Sequence, residues 1–293
     1  MSRATATLIG FSAVALWAML ALLTVATAPV PPFQLNAMTF ALGGTVGLVW
    51  LAATGGYRQL AQVGWRVYAF GTLGLFGYHA FYFSALRLAP PAEAGLIAYL
   101  WPLLIVLLSG LLPGERLRAG HVAGAVMSFA GAALILGGAL GAETGGQLAG
   151  YGFALACALT WSGYSVLSRR LGATPTASVT IFCLATAALS ALAHLAFETT
   201  AWPEGARGWA AILGLGLGPV GLAFYTWDVG VKRGDIQLLG TASYAAPLLS
   251  TLALILAGMA EPRREILAAA LLITFGAVLA ARASRKHRPT PAR

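Results

Sequence analysis

Three tryptophans and a histidine stand deep inside otherwise apolar sequence, where they could grip a flat ligand. Trp17, Trp101 and Trp161 lie near the centres of three uncharged stretches, and His79 near the centre of a fourth. An indole offers a flat apolar face and one N–H, which needs a partner that hydrocarbon cannot supply. A histidine at that depth costs a few kcal/mol unless it faces a cavity or a partner. Two readings stay open for each of the four. Either they pack in place, bonded to backbone carbonyls, or they line a wet cavity and stack on a ligand. Tyr82 falls one turn after His79 on the same helical face, whereas Tyr78 is expected to point elsewhere.

Tyr99 and Tyr244 add a repeated pattern. Ala80-Phe81-Tyr82 precedes Tyr99-Leu100-Trp101-Pro102 and then Glu115; Ala223-Phe224-Tyr225 precedes Tyr244-Ala245-Ala246-Pro247 and then Glu261. Pro102 and Pro247 are 145 residues apart, Glu115 and Glu261 are 146, and Trp17 and Trp161 are 144. Chance similarity of apolar sequence is a poor account of three such agreements. Each proline lacks an N–H and clashes with the carbonyl four residues back, so Ala98 and Ser243 are expected to have freed acceptors. Interrupted helices at matching places in two halves are where duplicated membrane proteins build binding sites.

The elements that position these residues follow from composition. The chain has 293 residues, 59% apolar and 9% charged, far below the ~25% charged of a soluble domain. Its mean hydropathy is +0.80. Ten spans are predicted, at 5–26, 33–53, 66–86, 91–112, 118–139, 148–168, 176–197, 208–230, 236–258 and 263–283. With the N-terminus cytoplasmic, fourteen Lys and Arg fall on inner segments and four on outer loops. That asymmetry puts both termini in the cytoplasm, and the net charge of +9 is then topological, with no nucleic-acid partner implied. Five spans per half forces the second half to enter the membrane in the opposite sense. The expected units are residues 1–140 and 148–283, joined by a linker around Gly141–Gln147 and followed by a basic tail, 284–293.

Other residues read more plainly. Trp50, Trp65, Trp202, Trp209 and Trp227 fall near span ends, as interfacial belts require. Glu93 is expected to cap a helix start near Arg87. Asp228 has Lys232 and Arg233 close by, so a structural or gating ion pair is expected. Gly71, Gly74 and Gly77, matched by the Gly214–Gly221 region, suit close helix packing, and Gly218-Pro219 suits a hinge. Cys157 and Cys183 read as buried thiols, and the four histidines lack metal-ligand spacing. No P-loop is present, and no span centre holds an Asp or Glu to exchange a proton for a cation. A membrane-embedded enzyme would have to use the cluster Asp228, Lys232, Arg233 and Asp235, more easily read as a loop. No cofactor is expected. Midplane aromatics without carboxylates suit a net-neutral substrate with a flat apolar side chain.

Glu93-Ala94-Gly95-Leu96-Ile97-Ala98-Tyr99-Leu100-Trp101-Pro102, Trp227-Asp228-Val229-Gly230 and Gly240-Thr241-Ala242-Ser243-Tyr244-Ala245-Ala246-Pro247 resemble the drug/metabolite transporter superfamily, in its ten-span form with two EamA-type repeats. The resemblance implies an all-α inverted 5+5 bundle around a central cavity. It also implies export of aromatic amino acids and related amphipathic metabolites across a bacterial inner membrane, by facilitated diffusion or proton coupling, in a protein functional as a monomer. Another metabolite class within the superfamily is the nearer alternative. On this reading Trp17, Trp101 and Trp161 contact the ring, while His79, Tyr82, Tyr99, Tyr225 and Tyr244 bind the rest of the substrate. Pro102, Pro247, Gly218, Pro219 and Asp228 serve as hinge and gate.

Overall fold

The computed structural model describes residues 1–89, 91–137, 147–256, 258 and 264–285, and every regular element in them is helical. The expected linker apart from Gln147, Glu261 and most of the basic tail lie outside the described residues, as does the side chain of Glu93. In chain order the helices are α1 (Arg3–Ala18), α2 (Leu20–Val25), α3 (Pro32–Thr54), α4 (Tyr57–Ala61), α5 (Trp65–Leu88), α6 (Pro91–Ala98), α7 (Trp101–Ser109) and α8 (Ala119–Gly137). Then follow α9 (Leu148–Arg170), α10 (Ser178–Phe197), α11 (Gly205–Leu217), α12 (Ala223–Arg233), α13 (Ile236–Ala242), α14 (Ala245–Leu256) and α15 (Arg264–Arg285). Among the described residues, five segments are long and apolar enough to cross a membrane: Arg3–Thr24, Pro32–Thr54, Ser178–Phe197, Gly205–Arg233 and Ile266–Ala283.

Local chemistry sets the ends. Ser2 caps α1 by accepting the Thr5 N–H, and Asp235 caps α13 by accepting the Leu238 N–H. Gly55 stops α3 in the left-handed conformation, at φ 66°. The start of α3 is capped from far away in sequence. The Glu198 carboxylate accepts the N–H groups of Phe33 and Gln34 at 3.0 and 3.1 Å, a placement the helix dipole favours.

Three rods are interrupted where the sequence holds proline. α6 and α7 are separated by Tyr99-Leu100, and α13 and α14 by Ser243-Tyr244. Pro102 and Pro247 each fall in the first turn of the second piece, where a missing N–H costs nothing. Between α11 and α12 the chain makes a π turn, Gly218–Leu222, in which Ala223 N–H reaches back five residues to Gly218 O.

Helices approach closely through small residues. A Cβ on Gly124 would sit 2.5 Å from Gly276 O, so α8 and α15 cross nearly backbone to backbone. Gly10 of α1 and Gly230 of α12 meet the same way. Cys157 and Cys183 are free and buried in this packing.

Candidate functional site

α1, α5, the α6–α7 break, α9 and α12 bring their aromatics to one place. Trp17 is the hub. Its ring centroid lies 6.2 Å from Trp101, 5.6 Å from Trp161 and 5.1 Å from Trp227. Trp161 stacks on Trp227 at 6.1 Å with 24° between planes, and Phe224 closes on Trp17 and Trp161. Edge-to-face and offset pairs at these spacings each contribute about 0.5–1.5 kcal/mol beyond area burial, so the box is stiff.

A cavity of about 90 Å³ sits against this box, lined in part by Trp17, His79, Tyr99, Trp101, Trp161 and Phe224. Among the described residues no charged side chain lines it. It is smaller than the ~300 Å³ at which ligand pockets usually begin, so its aromatic walls must part to admit a whole amino acid. Leu20 and Tyr99 line it on the side away from Arg3 and Glu115. Trp227, further along α12 toward Arg233 and 1% exposed, underlies the box on the opposite side.

The polar atoms of the box have definite duties. Trp17 Nε1 donates to Pro219 O at 3.0 Å, so this indole both lines the cavity and fastens α1 to the π turn. Trp227 Nε1 donates to Ser165 Oγ at 3.0 Å. His79 Nδ1 lies 2.7 Å from Leu75 O. A carbonyl only accepts, so Nδ1 carries a proton, and in the neutral form of the ring the lone pair falls on Nε2.

Several sequence expectations need correction. Trp227 is not interfacial; it is the buried floor of the box, whereas Trp50, Trp65, Trp202 and Trp209 are exposed. Tyr78 does not point away: it lines the cavity beside His79. Tyr82 lies behind it, stacked on Tyr78 at 6.2 Å and 4°. Tyr225 is remote from the box, its hydroxyl donating to Gly43 O at 3.1 Å, with Thr180 Oγ1 at 3.3 Å. Tyr244 is fully buried beside Phe129, and its hydroxyl accepts the Leu103 N–H at 3.1 Å. Helical spacing could not separate these tyrosines, because their partners are distant in sequence.

The end of the bundle nearest Arg3 is tied by charge. Glu115 pairs with Arg3 at 3.2 Å and with Arg169. Arg169 Nη1 also donates to Val231 O and Gly234 O, both at 2.8 Å, and Arg3 reaches Asp235 at 3.6 Å. Asp228 is buried; Lys232 Nζ sits 2.8 Å from its Oδ1, and Thr176 Oγ1 donates to Oδ2 at 2.8 Å. The expected ion pair is present, and among the described residues no carboxylate lines the cavity.

Known proteins resemble this chain along its whole length. A protein of Ancylobacter novellus named "Aromatic amino acid exporter YddG" is 56% identical over 292 residues, 98% of this chain and 100% of that one. The protein of the same name from Salmonella typhimurium is 28% identical, covering 86% and 88%. A solved crystal structure at 56% identity matches with a TM-score of 0.93 over 97% of this chain and 99% of the other. The EamA-like transporter family matches twice, at residues 4–137 and 148–282. The chain is thus a multi-pass membrane transporter, not an enzyme, and it belongs to the EamA-like transporter family.

Proposed function

We propose that this transporter exports aromatic amino acids and related amphipathic metabolites, in ten spans arranged as two inverted units, 1–140 and 148–283. The observation that carries the substrate assignment is the cavity itself, walled by indoles, phenols and an imidazole, with no charged side chain on it among the described residues. Such walls favour a flat apolar ring on a net-neutral molecule. Trp101 and Trp161 meet the ring; Tyr99, Tyr78 and the Nε2 lone pair of His79 meet the polar end, the last accepting from the substrate ammonium.

The packing supports the inverted arrangement. α3 lies on α10, α8 on α15 and α7 on α13, each a pairing of equivalent rods, while α1 on α12 exchanges with α9 on α5. A two-fold axis produces this pattern. With the basic end cytoplasmic, the Trp227 floor and the Glu115–Arg3–Arg169–Asp235 ties close the inner side, and the cavity belongs to an outward-facing or occluded state. Inward opening then requires these ties to part while the rods bend at Pro102, Pro247 and Gly218-Pro219.

Counterflow in liposomes tests the assignment with labelled phenylalanine, tryptophan and alanine. Phenylalanine and tryptophan are expected to exchange at least tenfold faster than alanine. Equal movement of all three sinks the aromatic reading.

A further inference from the structure

A larger cavity, about 580 Å³, lies on the flank of the bundle and takes no part in the aromatic box. One wall is a single face running from the end of the π turn along α12: Leu222, Tyr225, Thr226, Val229 and finally Arg233. Trp50 and Val46 of α3 form the opposite wall. Gly47 shapes the space, since a Cβ there would sit 2.1 Å from the Tyr225 hydroxyl. Glycine lets that hydroxyl tuck into α3 and reach Gly43 O, leaving the groove empty beside it.

Three features identify an occupant. First, the groove opens sideways, with Trp50 44% and Leu222 47% exposed on its edges. Second, eleven residues separate Leu222 from Arg233, about 16 Å of helix, or about half of a ~30 Å hydrocarbon core. The groove therefore runs the depth of one leaflet. Third, its apolar length ends at a cation, Arg233, with Met1 also on the lining. Arg233 is exposed with Gln59 nearby, and no carboxylate lies within ion-pair distance of it among the described residues. Neighbouring Lys232 is instead committed to Asp228 and Thr174 O.

We propose that this groove is a binding site for one anionic phospholipid, an acyl chain lying along α12 and the headgroup phosphate on Arg233. The proposal rests on the reading of α11–α12 as a membrane-crossing rod, and does not depend on which substrate the box carries. A basic side chain near an anionic surface gains roughly 1 kcal/mol, about a fivefold preference at 1.4 kcal/mol per factor of ten.

Native mass spectrometry of the full chain in mixed micelles measures retained phosphatidylglycerol against phosphatidylcholine. The wild type should retain phosphatidylglycerol about fivefold better, Arg233→Gln should equalise the two, and Val229→Trp should lose both by filling the groove. Equal retention by the wild type overturns the proposal, as does an Arg233→Gln protein that keeps the preference or a folded Val229→Trp protein that keeps both lipids. Arg233 is exposed, so its variant tests the headgroup contact even if Val229→Trp does not fold. Counterflow is not the readout, and a failed substrate assignment leaves the result interpretable.

Discussion

In the rod α6–α7, the tyrosine of the Tyr-x-x-Pro pattern, Tyr99, lines the central cavity. In α13–α14 its counterpart, Tyr244, is fully buried and holds the Leu103 N–H. That N–H lies in the first turn of α7, one of the donors a helix start leaves without an intrahelical partner. The second copy thus caps the first. Two residues on from each tyrosine, Trp101 forms a wall of the aromatic box, while Ala246 leaves room opposite. The backbone break is common to both copies because proline dictates it. The side chains around the break have diverged: one copy supplies a gripping surface, the other a brace and a space. A duplicated pattern therefore marks shared geometry and leaves open which copy contacts the ligand.

That contrast can be broken most severely at Ala246. Ala246→Trp would put an indole into a cavity of about 90 Å³, and counterflow of every substrate should fall below a tenth of wild type in a protein that still folds. Trp101→Ala acts from the other side. Exchange of tryptophan and phenylalanine should drop about tenfold, with alanine nearly unaffected; an unchanged ratio would make Trp101 a packing residue only. The smallest effect separates the tyrosines. Tyr244→Phe strands the Leu103 N–H and should cost about 1–3 kcal/mol, seen as a lower thermal midpoint. Tyr99→Phe should leave the midpoint in place and raise the half-saturating substrate concentration.

The sequence made much of this architecture legible. The helical class and the three interrupted rods follow from apolar blocks and proline positions, and counting along the apolar stretches picks out Trp17, Trp101 and Trp161, which line one cavity. Trp227 escaped that count because α12 runs on to Arg233, and its indole packs into the bundle among the other three. The tyrosines escaped for a different reason. A phenol suits a cavity wall, a helix cap or a buried bridge equally well, and only the partner decides. For Tyr244 that partner, Leu103, is 141 residues away. Glu198 is the same case, since nothing near Phe33 signals that its helix is capped from another rod.

The π turn at Gly218–Leu222 carries one more residue than an α-helix would need to cover the same rise. Successive residues of an α-helix are about 100° apart around its axis, at 3.6 per turn. Deleting one residue there would restore regular winding and rotate everything from Ala223 to Arg233 by that angle. Trp227 would leave Ser165, and Asp228 would leave Thr176, in a single step. The extra residue is a phase setting: it fixes which face of α12 meets the rest of the bundle.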